Sequence, residues 1–250
     1  MATTLLLTPG KAQMINYPFE RKPVPVSPPL HLMVAHPEGE KTASSSRSRI
    51  LDAAEQLFGK LGLTATSLHA ISSDAGVNPS VIAYYFRSKN GLVEAVYERR
   101  VAPMDRLRLE MLGCCEKLHG PGQLPLQQVV EAFIAPLFKI GGCRTIIGRF
   151  HTEPGSLLPS AVVGRMNEVE TRFASALKRS LPDRNSTDLR WGMIFLTGMV
   201  VRATSNFTPA ATSSFAAARC DGMEDIARQM VGFACAGLRS LPSNRPELAA

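Results

Sequence analysis

The chain has 250 residues, 45% hydrophobic and 20% charged, enough to bury a sizeable core and too apolar to be disordered throughout. Its net charge of +7 favours a polyanionic partner, because clustered Lys and Arg release counterions from phosphates. No apolar run approaches the roughly 18 residues of a membrane span, and the Leu5 to Leu7 triplet is too short for a signal peptide; a cytoplasmic protein with no membrane partner is expected.

Residues 1–44 carry Pro18, Pro23, Pro25, Pro28, Pro29 and Pro37 and run into the Thr42 to Ser46 tract without a helical or strand period. They read as a disordered N-terminal extension, whose Lys11, Arg21, Lys22 and Lys41 could brush DNA as an arm. From Arg47 the pattern changes. Ile50, Ala53, Ala54, Leu57, Phe58 and Leu61 recur at three- and four-residue steps, which predicts a helix over about 47–61 with Gly62 as its C-cap.

Thr66 or Ser67 supplies an N-cap hydroxyl for a short second helix through Leu68, Ala70, Ile71 and Asp74. Gly76 permits a sharp reversal at positive φ. Asn78 caps a third helix ending near Phe86, with Pro79 in its first turn where a missing donor costs nothing. Ser88 caps a fourth from Lys89 through Leu92, Val93, Val96 and Tyr97, continuing past a bend at Pro103 toward Leu112.

Every later periodic segment has helical spacing, so the fold is expected to be all-α with roughly nine helices. Three parts follow: the extension at 1–44, a helix-turn-helix DNA-binding domain at 45–91, and an effector-binding and dimerisation domain at 92–250. A helix, a glycine-centred turn and a second short helix make the geometry in which the latter lies in the major groove while the former braces it.

The stretch Arg49 to Phe58, then Gly62, Thr66-Ser67, Ile71, Ala75-Gly76-Val77 and Tyr84 to Lys89 resembles the TetR family of one-component regulators. The resemblance covers about residues 47–97 and implies double-stranded DNA as partner. It implies that Thr66 or Ser67 bonds a backbone phosphate, that His69 stands where the family often has a groove-reaching arginine, and that Lys89 is a phosphate lysine. Asn78, Pro79, Ser80 and Ala83 lie on the outer side of the third helix, with Asn78 and Ser80 able to address base edges, while Val81 and Ile82 pack inward. Tyr84 and Tyr85 match the family's aromatic pair. Two positions depart from the common pattern: Ala83, where a tyrosine is frequent, and Tyr85, where a histidine is frequent.

In the remainder, Leu189 to Phe207 is apolar nearly all round, so it is either central core or has one face on a partner subunit. A last helix over about Met223 to Leu241 carries a broad apolar face. The resemblance implies that the two helices form half of an intersubunit four-helix bundle in a homodimer, with Trp191, Phe195, Met199, Met230 and Phe233 at the interface. Met111, Phe133, Leu137, Phe150, Met166 and Phe173 are candidates to line an apolar effector pocket, or are ordinary core. The runs Arg99 to Pro103, Ala132 to Pro136, Phe150 to Pro154 and Leu181 to Trp191 resemble a TetR-family subgroup that includes regulators responding to fatty acids or their derivatives. That implies a hydrophobic or amphipathic small-molecule effector. The fourth helix, joining reader to pocket, is the expected lever.

The expected function is a sequence-specific transcriptional regulator, a repressor released by its effector, with activation or ligand-independent architectural binding as alternatives. Catalysis is not expected: His119, His151 and Glu153 are accompanied by no Ser-His-Asp signature, phosphate-cradling loop or metal spacing, and no cofactor is implied. Cys114, Cys115, Cys143, Cys220 and Cys235 form an odd set without a C-x-x-C pair, which suits a reducing compartment. Vicinal Cys114 and Cys115 read as small buried residues or as a redox or soft-metal sensor.

Overall fold

Breaks in apolar periodicity, caps and prolines set where each helix stops, and packing sets how they meet. The computed structural model describes residues 39–139, 144–204 and 223–243. The described residues contain eleven α-helices and no strand. They are α1 (Gly39–Leu61), α2 (Leu68–Asp74), α3 (Pro79–Phe86), α4 (Lys89–Arg100), α5 (Ala102–His119), α6 (Leu126–Ile134), α7 (Pro136–Lys139), α8 (Arg144–Thr152), α9 (Ser160–Ser180), α10 (Ser186–Thr204) and α11 (Met223–Arg239), with a 3₁₀ turn at Gly155–Leu157 before α9.

Two expectations change. The first helix begins at Gly39 rather than near residue 47, so the end of the supposed disordered extension is helical; residues 1–38 lie outside the described part. No proline stands between Pro37 and Ile50, and extending a helix already nucleated around Ile50 costs far less than starting one. The helices number eleven rather than nine because Pro103 cannot donate to the carbonyl of Arg99 and its ring crowds that turn, which divides α4 from α5 at Val101. The short α7 accounts for the other. Phe207 lies outside the described residues, and α11 stops at Arg239 rather than Leu241.

α1 packs on α2, α4 and α8, while α6 lies at the centre of the larger part against α5, α9 and α11. One buried cluster runs without interruption from Ile50 and Phe58 through Leu92 and Val96 to Phe133, Phe150, Phe173 and Leu238. α8 lies close along α10 because Gly148 leaves room: a Cβ there would stand 2.5 Å from Thr204 Oγ1. α1 and α4 are tied by charge, with nearly buried Glu55 accepting from Arg100 Nε at 2.6 Å and facing Arg99 Nε at 3.3 Å. Asp52 also pairs with Arg99.

Candidate DNA interface and effector cavity

The turn between α2 and α3 is built by caps at both ends. Ser67 is the N-cap of α2, its hydroxyl accepting from Ala70 N at 3.0 Å. Gly76 takes φ +60, and Arg49 of α1 donates from Nε to Ala75 O at 3.0 Å and from Nη2 to Gly76 O at 2.7 Å. Arg49 thus binds the carbonyls that α2 leaves unpaired at its end. Asn78 caps α3, its Oδ1 accepting from Ser80 N at 2.9 Å and from Ser80 Oγ at 2.8 Å.

These caps hold α3 with Ile82 and Phe86 buried, Val81 half-buried, and Asn78, Pro79, Ser80 and Ala83 exposed. Tyr84 is 80% exposed and meets the half-buried Tyr85 edge-on, centroids 5.1 Å apart. Tyr84 is therefore not a core aromatic. Ser67 and His69 are exposed on the same reader, and Lys89 is half-buried with Nζ donating to Thr64 O at 3.2 Å. Thr66 needs correction: it is 1% exposed and its hydroxyl donates to Gly62 O at 2.8 Å, so it holds the loop before α2 instead of facing outward.

Two cations were missed. Arg87 ends α3 at φ 63 with its side chain exposed, and the Arg47 guanidinium lies 5.4 Å from the Phe86 ring centroid. Arg87 follows α3 directly in the sequence, whereas only the folded reader brings Arg47 beside α3.

Of the six residues expected to line an effector pocket, four lie in the core and two pack against it. Phe133, Leu137, Phe150 and Phe173 are each 2% exposed or less, and Met111 and Met166 are half-buried against them. Phe133 and Phe173 meet edge-on at 5.1 Å, as do Tyr97 and Phe150 at 5.3 Å. The helices close on these aromatics because burying them is worth more than keeping a void. A cavity of about 690 Å³ instead opens between α8, α9 and α10, with His151, Ala174, Met193, Ile194 and Val201 among its walls and Glu170 and Arg190 among its charged groups.

A buried polar cluster lies near enough to His151 of that cavity for the charge of Arg108 to act on it. The Tyr97 hydroxyl donates to Asp105 Oδ2 at 2.7 Å, Arg108 Nη1 lies 3.2 Å from Asp105 Oδ1, and Arg108 Nε donates to Phe133 O at 2.9 Å. The guanidinium also stacks 4.1 Å over the Phe133 ring. Desolvation, and then the carboxylate of Asp105, push the Tyr97 phenol well above its ordinary range, while burial raises Asp105 and lowers Arg108. Burial, and then the Arg108 charge, hold His151 down to about 4. Arg108 Nη2 and His151 Nε2 are buried without a hydrogen-bond partner.

α8 and the residue that follows it also touch the reader. Glu153 accepts from Leu63 N at 2.8 Å, and Arg149 donates from Nε to Gly59 O and from Nη2 to Lys60 O, both at 3.1 Å. These groups satisfy the C-terminal end of α1. Trp191, Ile194 and Phe195 on α10 and Phe233 on α11 are exposed, with Trp191 stacked on Phe195 at 6.1 Å, while Met199 and Met230 are half-buried.

His119 is exposed beside Gln128 Oε1 at 3.1 Å. Cys114 is exposed whereas Cys115 and Cys235 are buried, with burial raising both thiols; Cys143 and Cys220 lie outside the described residues. Among the described residues no group of three His, Cys, Asp or Glu could hold a metal, and no helix is long and apolar enough to cross a membrane.

A capped helix-turn-helix with the outer face of its second helix exposed, carried on a helical body, defines the class of helix-turn-helix DNA-binding proteins. Residues 50–96 match the family described as bacterial regulatory proteins, tetR family. Residues 131–237 match the tetracyclin repressor-like C-terminal domain. The transcriptional regulator BetI of Escherichia coli O139:H28 is 24% identical over 173 residues, 66% of this chain and 86% of BetI. The regulator AcrR of Shigella flexneri is 34% identical over 71 residues, 28% of this chain and only 33% of AcrR.

Among solved structures, the probable transcriptional regulatory protein RHA5900 superposes with a TM-score of 0.55 at 20% identity, covering 77% of this chain and 98% of that one. HlyIIR, a hemolysin II transcriptional regulator, gives 0.53 at 16% identity, covering 78% and 97%. Both likenesses are of fold. The chain belongs to the TetR family, and is a DNA-binding transcriptional regulator of that family.

Proposed function

We propose that the protein is a homodimeric repressor that reads a palindromic operator with two copies of α3 and is released by a small hydrophobic or amphipathic effector. Residues 45–91 act as the reader and 92–250 as the effector-binding and dimerisation part. The observation that carries this reading is the outer face of α3: Asn78, Pro79, Ser80, Ala83 and Tyr84 are all exposed while Ile82 and Phe86 anchor the helix from behind. Base edges fall to Asn78 and Ser80, whereas Ser67, His69, Tyr84, Tyr85 and Lys89 serve the flanking phosphates.

Exposed Trp191, Phe195 and Phe233 favour a partner subunit on α10 and α11, edged by Met199 and Met230, because large aromatics are seldom left in water together. The effector site is the cavity beside α8, since α8 borders it with His151 and Thr152 while Arg149 on the same helix holds the end of α1. A ligand that fits only a displaced α8 weakens operator binding by its differential affinity for the two states.

The test is fluorescence anisotropy on labelled fragments flanking the protein's own gene, against scrambled DNA at fixed near-physiological salt. A preference of about a thousandfold or more for one palindromic fragment is expected. Equal, weak binding to every fragment would sink the reading.

A further inference from the structure

Two buried side-chain nitrogens lack partners, one on His151 in the wall of the cavity and one on Arg108, whose charge acts on His151. Arg108 is 1% exposed and spends Nε and Nη1 on Phe133 and Asp105, leaving Nη2 unused. His151, one of the cavity's lining residues, has its Nε2 buried and equally unused. An unsatisfied buried polar atom costs stability in the free protein, and a ligand group that bonds to it recovers that cost. Beside His151 the wall combines apolar Ala174, Met193, Ile194 and Val201 with the hydroxyl residues Thr152, Thr171, Ser175 and Thr197.

We propose that the cavity takes an amphipathic anion, a carboxylate or comparable acidic head on an apolar body, whose head docks on His151 Nε2 with the Arg108 charge behind it. This rests on reading the cavity as the effector site. The Arg108–Asp105 pair is close to neutral, so a second negative charge needs its own counterpart. His151 supplies it by taking a proton from solvent as the anion enters, reversing the burial and charge that keep it neutral when the cavity is empty. The charged and titratable groups around it are Arg108 of α5, with Asp105 and Tyr97 beyond, and, lining the cavity, Glu170 of α9 and Arg190 of α10.

The experiment is isothermal titration of the full chain with four probes of equal tail length: octanoate, 1-octanesulfonate, 1-octanol and octyltrimethylammonium. The two anions should bind once per protomer and at least about tenfold tighter than the alcohol or the cation. Because the sulfonate stays ionised, its heat at pH 6.5 should vary with the buffer's ionisation enthalpy in the sense of proton uptake. His151→Leu should bring the anions to the level of the alcohol. His151→Gln should retain part of the affinity and lose the uptake, which a purely structural role would not produce. If octanol binds as tightly as the anions, or His151→Leu leaves their preference intact, the anion site is wrong while the effector cavity stands. If no probe binds, both fall.

Discussion

His151 sits neutral in the folded protein, and that has a cost in acid. Burial and the Arg108 charge lower it from 6.5 to about 4, so between these pH values the unfolded chain binds a proton that the folded chain refuses. Stability is therefore complete above about pH 6.5 and falls as pH drops toward 4, by about 1.4 kcal/mol per pH unit at the steepest. Asp105, raised by burial, acts in the opposite sense at the acid end. Urea denaturation at several pH values should show this slope in the wild type and its loss in His151→Gln; equal slopes would contradict the assignment. Tyr84 makes a second case at this scale. At 80% exposure it contributes little to the core, so Tyr84→Ala should weaken operator binding about tenfold with an unchanged melting temperature. A fall in melting temperature instead would mean a packing role.

Whole elements are held by a few backbone-directed contacts. Gly76 stands at φ +60 with Arg49 Nη2 only 3.0 Å from where a Cβ would go, so Gly76→Ala should cost about 1–2 kcal/mol and loosen α3. Denaturant midpoints together with operator affinity would check it, both falling. The junction of α8 with α1 is the other such place. Glu153→Ala leaves the Leu63 N–H without its acceptor in a partly buried site, a loss of about 1–3 kcal/mol. Hydrogen exchange at the end of α1 should quicken in that variant, and unchanged exchange would remove α8 as the route from cavity to reader. α4, the expected lever from the sequence, is broken from α5 at Val101, while α8 bonds the end of α1 through Arg149.

At the scale of the molecule, the stacked Trp191 and Phe195 are exposed on α10, so charging both should leave the protomer folded and separate the subunits. Trp191→Glu with Phe195→Glu should elute as a protomer in size-exclusion chromatography and lose at least about tenfold in operator affinity. A variant that remains dimeric would move the interface elsewhere.

What the sequence by itself determined is the part governed by local rules. Ser67, Asn78 and Ser88 cap helices as their side-chain oxygens require, Gly76 turns the chain at positive φ, and the apolar steps of Ile50, Ala54 and Phe58 mark the buried face of α1. Such features depend on neighbours within a turn or two, so they survive reading one residue at a time. Only the tertiary structure decided that adjacent Thr66 and Ser67 have opposite fates, one buried on Gly62 and the other capping α2. It alone buried Phe133, Phe150 and Phe173 in the core, and gathered Tyr97, Asp105 and Arg108 into one cluster whose charge reaches His151. An apolar residue reads the same whether it fills a core or lines a void, and charges separated by some 45 positions show no period. Their meeting follows from how α4, α5 and α8 pack.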